Sequence, residues 1–228
     1  MADPRPIIAE AQTLIQSFEK CRLKPYQGAA DKADTWTVGW GHKMGPADGR
    51  MQAGITQKQA DDLFAVDLAK HSSHIQEDIG PHVFLDDFKY GMFASFCYNV
   101  GPRALLIAPS VVRPAKEGNL DEGILNLYKF SNDERNKYED GLFYRRLVEM
   151  MLGLTKKLVD KPEDCEEAKT LILDLAGYGD CLEMETFFNT HHQKEHCHVC
   201  QNPAKPISHV PARSAPKPGT GKPNNKRK

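Results

Sequence analysis

The sequence predicts an α+β fold that is mostly helical and has one small antiparallel sheet near the N-terminus. Apolar residues recur at helical spacing along much of the chain. One short stretch, residues 35–42, is rich in β-branched and aromatic side chains and is interpreted as a strand. No run of alternating strands is evident after residue 43, which favours a mostly helical chain with one small sheet.

The first helices are predicted from spacing and from a capping signal. In segment 6–20 six apolar residues form the stripe of an amphipathic helix. Neighbours in this set are one or three positions apart, and the set is Ile7, Ile8, Ala11, Leu14, Ile15 and Phe18. Thr56 and Gln59 form a capping box, so a long helix is predicted from there to about residue 79.

The remaining elements follow in chain order. Residues 45–54 are interpreted as a loop. A helix that begins near Asp86 is apolar on most faces and is predicted to be the buried central helix. Further helices are predicted at residues 102–107, 120–130, 140–153, 162–176 and 182–194.

The composition is typical of a soluble globular protein. The chain has 228 residues, of which 40% are apolar and 27% are charged. This length suits one domain with an appendage, or two small domains. No apolar run approaches the roughly 18 residues that cross a bilayer, so no transmembrane helix is expected. The N-terminus has no basic region leading into an apolar segment, so no secretory signal is expected.

The formal net charge of −1 conceals two regions of opposite charge. Residues 201–228 hold seven bases and no acid, so residues 1–200 hold 23 bases against 31 acids, a net charge of −8. Six prolines and few apolar side chains predict that 201–228 is a disordered tail. We expect this basic tail to be attracted to an anionic cell envelope. Nucleic-acid binding ranks below that because the tail has no interleaved aromatic residues.

Cysteine and histidine are concentrated just before the tail. Cys197 and Cys200 have the spacing of zinc ligands. Cys181 and His192 are the candidates to complete a tetrahedral structural zinc site. The alternative is a histidine-rich helix end that holds no metal. No other cofactor is expected.

Two carboxyls near the N-terminus are candidates for acid–base chemistry. Glu19 lies at the end of the first predicted helix, and Asp31 lies in the loop before Thr37. Glycosidic cleavage needs two carboxyls in different environments, one protonated and one ionised. The alternative interpretation is solvated surface charge, since the chain has 31 acids.

The residues around this pair form a longer pattern. The chain has F-E-K-C-R-L-K-P-Y at 18–26, an Asp at 31 and T-V-G-W-G-H at 37–42. This resembles the phage-type lysozymes (endolysins, glycoside hydrolase family 24), which have E-G-x-R-L-x-x-Y, an Asp, then T-[IV]-G-x-G-H. Later similarities lie at residues 55–67, 99–101 and 141–146, so the resemblance covers about residues 7–155.

The resemblance implies a role for each matching residue. Glu19 would be the general acid, Asp31 would assist the attacking water, and Thr37 would help to position that water. Counted back from Thr37, Asp31 has the family spacing and Asp34 is the alternative base. Counted forward from Tyr26, the chain has an insertion of about three residues, which places Gly28 near the expected position. Lys20 stands where the family commonly has glycine, and we expect it to point to solvent.

The resemblance also implies two supporting contacts. His42 would pair with Asp67 on the next helix and tie the sheet to it. Arg145 or Arg146 would reach Glu19, as a family arginine does. The alternative for both arginines is an exposed position on a helix surface.

The implied activity is hydrolysis of peptidoglycan glycan strands between N-acetylmuramic acid and N-acetylglucosamine. If the reaction inverts the anomeric centre, the two carboxyls should stand about 6.5–9.5 Å apart. An endolysin of this kind would be made in the host cytoplasm and would reach the wall after membrane permeabilisation, causing host cell lysis. We expect a monomer. The alternative is an inactive lysozyme-like protein that binds the wall or acts as a scaffold, with a zinc-binding C-terminal module.

The same resemblance divides the chain into three parts, because family members often end near the equivalent of residue 155. Residues 1–155 would form the lysozyme-like domain and 156–200 a helical extension rich in cysteine and histidine. Residues 201–228 would form the basic tail.

Overall fold

The structure is a computed structural model that describes residues 5–27, 35–132 and 140–158, together with Thr170 and Asp174. The α-helices are α1 (Ala9–Glu19), α2 (Gln57–Ser72), α3 (Ile75–Ile79), α4 (Asp87–Val100), α5 (Pro109–Lys116), α6 (Leu120–Leu125) and α7 (Asp140–Thr155). The strands are β1 (Arg22–Tyr26), β2 (Thr37–Gly39) and β3 (His42–Lys43). Three 3₁₀ helices cover Pro46–Ala53, Ala104–Ile107 and Asn126–Phe130. The α+β prediction is confirmed.

The sheet is antiparallel in the order β1-β2-β3, so β1 is an edge strand. Pro25 is tolerated there because an edge strand does not need every backbone N–H. The prediction of a single strand over 35–42 is wrong. A turn at Trp40 and Gly41 divides it into β2 and β3, and Gly41 has a φ of +98°, a conformation that favours glycine.

Two further predictions are corrected in the segment after the sheet. The helix predicted from Thr56 to residue 79 is two helices, α2 and α3, separated at Ser73 and His74. The Ser72 and Ser73 hydroxyls donate to the carbonyls of Ala69 and Lys70, and such bonds compete with a continuous helix. The predicted loop 45–54 contains the 3₁₀ helix Pro46–Ala53.

Other helix limits also differ from the prediction. The predicted helices 6–20 and 140–153 are α1 and α7. Within the predicted helix 102–107, only Ala104–Ile107 are helical, and they form a 3₁₀ helix. Residues 120–130 divide into α6 and a 3₁₀ helix. Sequence reasoning missed β1 and α5, each of which contains a proline that argues against a regular element. Apart from Thr170 and Asp174, the predicted helices 162–176 and 182–194 lie outside the described residues.

Helix α4 is the centre of the core, as predicted. Every residue from Tyr90 to Tyr98 is buried, and α1, α2 and α7 all pack against this helix. Helix α1 approaches closely at Gly91, where an added Cβ would lie 2.8 Å from the Ala11 Cβ. This close approach fixes the position of α1, and therefore of the carboxyl at its C-terminal end.

A membrane-spanning helix would have to be longer and more apolar than any helix within residues 5–27, 35–132 and 140–158.

Candidate active site

Glu19 is the last residue of α1, and its side chain is 22% exposed. The helix ends there because Lys20 adopts a φ of +52°. That conformation favours glycine, which is the residue the family commonly has at this position. The Lys20 side chain is exposed, as expected.

Arg145, which lies on α7, holds the Glu19 carboxylate. Its Nη1 donates to Glu19 Oε1 over 2.6 Å, a contact between α7 and α1. The Arg145 side chain is only 4% exposed. The alternative of a surface helix arginine is therefore wrong for Arg145.

Arg145 belongs to a buried polar network between α7 and α4. Its Nε donates to Glu149 Oε1 over 3.2 Å, and its Nη2 donates to the Ser95 carbonyl over 3.2 Å. The Ser95 hydroxyl donates to the same Glu149 Oε1 over 2.6 Å. All three positions are at most 3% exposed, so these bonds form away from water.

Arg146 lies in the same network but does not touch Glu19 in any contact that the structure records. Its Nη2 donates to Asn99 Oδ1 over 2.9 Å and to Glu149 Oε1 over 3.2 Å. Its Nε lies 3.0 Å from Glu149 Oε2, at ion-pair distance but outside hydrogen-bond geometry. Burial lowers the pKa of Arg146 to about 10, and the Glu149 charge opposes that fall, so the guanidinium is charged at neutral pH.

The turn between β2 and β3 covers the other side of the Glu19 carboxylate. A Cβ added at Gly41 would lie 3.2 Å from Glu19 Oε2, so only glycine fits without displacing the acid. Tyr98 on α4 fixes this turn, because its hydroxyl donates to the Trp40 carbonyl over 2.8 Å. Burial raises the pKa of Tyr98, which keeps the hydroxyl protonated as a donor.

Thr37 begins β2, the strand that leads into this turn, and is 6% exposed. It is paired with Lys43 on β3 and lies opposite Tyr26 on β1. Pairing with strands on both sides therefore fixes the position of Thr37 relative to the turn that contacts Glu19.

His42 joins the sheet to α2 and to the 3₁₀ helix between them. Its Nδ1 lies 2.8 Å from Asp67 Oδ2, which is the contact that the resemblance implies. Its Nε2 lies 3.4 Å from Asp48 Oδ2, a second contact that sequence reasoning missed. Two carboxylates thus fix the ring, which is consistent with a structural role.

Several predicted residues lie outside the described residues. They are both candidate bases, Asp31 and Asp34, and the four candidate zinc ligands, Cys181, His192, Cys197 and Cys200. Within residues 5–27, 35–132 and 140–158, no three or more His, Cys, Asp or Glu side chains are arranged to hold a metal ion.

The arrangement suits proton transfer at Glu19. The carboxyl is partly exposed, so a ligand can reach it, while one of its oxygens is held by Arg145. A carboxyl of this kind can donate or accept a proton at a bound group.

Sequence reasoning identified Glu19 and Arg145 but missed the residues behind them. A signal for Glu149 exists in the sequence, because Arg145, Arg146 and Glu149 are the only charged residues between positions 141 and 155. A charged triplet at helical spacing within an apolar run indicates a buried ion network rather than a surface stripe.

Comparison with known proteins assigns the chain to a family. The family model for phage lysozyme matches residues 16–149, more than half of the chain. No curated protein matches it in direct sequence comparison.

Several solved structures are similar in fold, including these three. The muramidase domain of SpmX from Asticaccaulis excentricus has 27% identity and a TM-score of 0.57, covering 66% of this chain and 99% of its own. The active form of the P1 phage endolysin Lyz has 21% identity and a TM-score of 0.56, with coverages of 66% and 85%. The endolysin from the Escherichia coli O157:H7 phage FAHEc1 has 21% identity and a TM-score of 0.55, with coverages of 68% and 97%. The chain belongs to the phage lysozyme family.

Proposed function

We propose that this protein is a muramidase, which hydrolyses the β-1,4 bond between N-acetylmuramic acid and N-acetylglucosamine in peptidoglycan. The family supports this, as does the similarity to a muramidase domain. The observation that carries it is the Glu19 carboxyl, partly exposed at the end of α1 and held between Arg145 and the Gly41 turn.

In the proposed mechanism Glu19 protonates the leaving glycosidic oxygen. A water attacks the opposite face of the sugar, assisted by Asp31, with Asp34 as the alternative base, and positioned by Thr37. Inversion at the anomeric carbon follows from a single displacement by that water. Because Glu19 must carry a proton when it acts, its balance of neighbouring charges matters directly to the rate.

Product analysis tests the bond that is cut. Purified peptidoglycan would be digested with the protein, reduced with borohydride and analysed by mass spectrometry. A muramidase generates reduced N-acetylmuramic acid at the new chain ends. Reduced N-acetylglucosamine, or an anhydro sugar, would contradict the proposed bond or the hydrolytic step. Binding to peptidoglycan without new reducing ends would favour the wall-binding or scaffold alternative.

The proposed setting is lysis of a host cell. The protein would be made in the host cytoplasm as a monomer and would act on the wall once the membrane is permeabilised. Residues 201–228, with seven bases and no acid, would bring it to the anionic envelope.

A structural zinc ion held by Cys181, His192, Cys197 and Cys200 also stays a proposal. Elemental analysis of protein purified without chelators tests it. One zinc per chain that is lost in Cys197→Ser and Cys200→Ser supports the site, and protein free of zinc contradicts it.

A further inference from the structure

We propose that Glu149 is a positioning residue that keeps Glu19 able to hold its proton by balancing the charge of the two buried arginines. This inference rests on the proposed function, because it assigns Glu149 a role toward the acid of that reaction. Glu149 itself is fully buried and has no recorded contact with Glu19.

The first step is the geometry of Arg145. Each of its three nitrogens has one acceptor, which are Glu149 for Nε, Glu19 for Nη1 and the Ser95 carbonyl for Nη2. A planar guanidinium held at two nitrogens has its third aimed in a fixed direction. Glu149 and Ser95 therefore direct Nη1 at Glu19.

The second step is charge balance. Two guanidiniums, Arg145 and Arg146, and two carboxylates, Glu149 and Glu19, make a cluster of formal charge zero when all four are ionised. When Glu19 takes up the proton it needs as general acid, the cluster becomes +1. Loss of the Glu149 charge would raise that to +2 and would resist protonation of Glu19.

The third step is that no other described acid replaces Glu149. The groups recorded against this cluster from α4 are Ser95, Asn99 and the Phe96 ring, all uncharged, and Cys97. Burial raises the pKa of the Cys97 thiol to about 12, so it stays neutral. The charged or titratable groups recorded beside Glu19 among the described residues are Arg145, Tyr98 and the exposed Lys20. Among the described residues, Glu149 is thus the one buried carboxylate that pairs with both arginines.

The test compares the pH dependence of peptidoglycan hydrolysis in wild type, in two variants that each lack one charge of the cluster, and in the double variant. In Glu149→Gln the alkaline limb of peptidoglycan hydrolysis is expected to move to lower pH, by on the order of one unit. In Arg146→Met it is expected to move to higher pH. The double variant restores the charge balance, so its limb should return toward the wild-type midpoint.

A purely structural role predicts a different pattern. If Glu149 only maintained the fold, its loss would lower the hydrolysis rate at every pH and leave the midpoint of the alkaline limb unchanged. The double variant would then hydrolyse peptidoglycan no faster than either single variant. Midpoints within about 0.2 pH units of wild type in folded Glu149→Gln and Arg146→Met would overturn the proposal. If Glu149→Gln fails to fold, Arg146→Met alone decides, since an unshifted midpoint overturns the proposal and an upward shift supports it.

A second readout separates this inference from the proposed function. The Glu19 side-chain carboxyl carbon can be titrated by NMR in ¹³C-glutamate-labelled protein and assigned by its loss in Glu19→Gln. A shifted Glu19 titration without hydrolysis by the wild type would support the charge balance and contradict the muramidase proposal. Hydrolysis by the wild type, with a Glu19 titration that is the same in every variant, would support the muramidase proposal and contradict the charge balance. Ser95→Ala is the control, because it removes a hydrogen bond to Glu149 but no charge.

Discussion

Arg145 Nη1 lies 2.6 Å from Glu19 Oε1, which joins the C-terminal end of the first helix to the last described helix. The partners are 126 positions apart in sequence, so the contact depends on the packing of both helices around α4. In the proposed mechanism, catalysis at Glu19 therefore depends on the residues that position Arg145.

Gly41→Ala is expected to lower both stability and activity. The positive φ costs roughly 1–2 kcal/mol for a residue with a Cβ, and the new methyl would also press on Glu19 Oε2 at 3.2 Å. Thermal unfolding and peptidoglycan hydrolysis measure the two effects.

Gly118→Ala is the matched control, because its φ of +93° is close to that of Gly41 and nothing lies within 4 Å of the new Cβ. It should lose similar stability and keep its activity. Equal activity losses in the two variants would show that the contact with Glu19 is not the cause.

Lys20→Gly is expected to stabilise the protein by up to about 1 kcal/mol. Glycine removes the backbone strain that a side chain causes at the φ of +52° at the end of α1. Glycine also increases the entropy of the unfolded chain, which reduces the gain in stability. The measurement is the free energy of unfolding in urea. Lys24→Gly, in the exposed edge strand β1, is the control and should lower stability by roughly 0.5–1 kcal/mol. A loss of stability in Lys20→Gly would contradict strain at that position.

The contribution of Asp48 to stability should disappear in acid. A hydrogen bond from the Gly45 amide lowers the pKa of Asp48 below its ordinary value of 3.8. Burial raises this pKa, but the contact with His42 lowers it further, and the net direction is down. A carboxyl whose pKa is lowered by folding stabilises the fold above its unfolded pKa, and this is lost as pH falls through the folded pKa.

The Tm difference between wild type and Asp48→Asn should therefore be largest near neutral pH and should shrink below about pH 4. Asp62→Asn, which alters an exposed pair on α2, should change Tm little at any pH. A Tm difference for Asp48→Asn that persists unchanged below that pH would be evidence against the assignment.

Deletion of residues 201–228 is expected to slow lysis mostly at low salt. The remaining 200 residues have a net charge of −8 and would be repelled by an anionic wall, an effect that salt screens. Initial rates at about 20 mM and 200 mM salt test this, since the screening length shortens roughly threefold between them. An unchanged rate at low salt would exclude this role for the tail.

The sequence predicted those parts of the fold whose signal is local. The apolar α4 and the stripe of α1 both follow from residue spacing, and the Thr56 capping box marks the start of α2. The interruption at Ser73 was missed because it depends on competing side-chain hydrogen bonds. Helix α5 was missed because Pro114 lies within it.

Sequence reasoning could predict only those residues of the candidate site that belong to a recognisable residue pattern. Glu19, Thr37 and His42 lie in the pattern that extends over residues 18–42 near the N-terminus. Arg145 lies in the later similarity at residues 141–146. The roles of Tyr98 and Glu149 depend on distances between helices, which spacing along one chain does not encode. A buried charge acquires its partners only when the core forms.

The most direct test of the central claim compares wild type, Glu19→Gln and Glu10→Gln on purified peptidoglycan, measured as release of reducing ends. Glu10 is the matched control because it is an exposed glutamate at the other end of α1. We predict that wild type and Glu10→Gln hydrolyse the polymer at similar rates and that Glu19→Gln loses at least about 100-fold. Hydrolysis by Glu19→Gln at the wild-type rate, with all three proteins folded, would contradict the account.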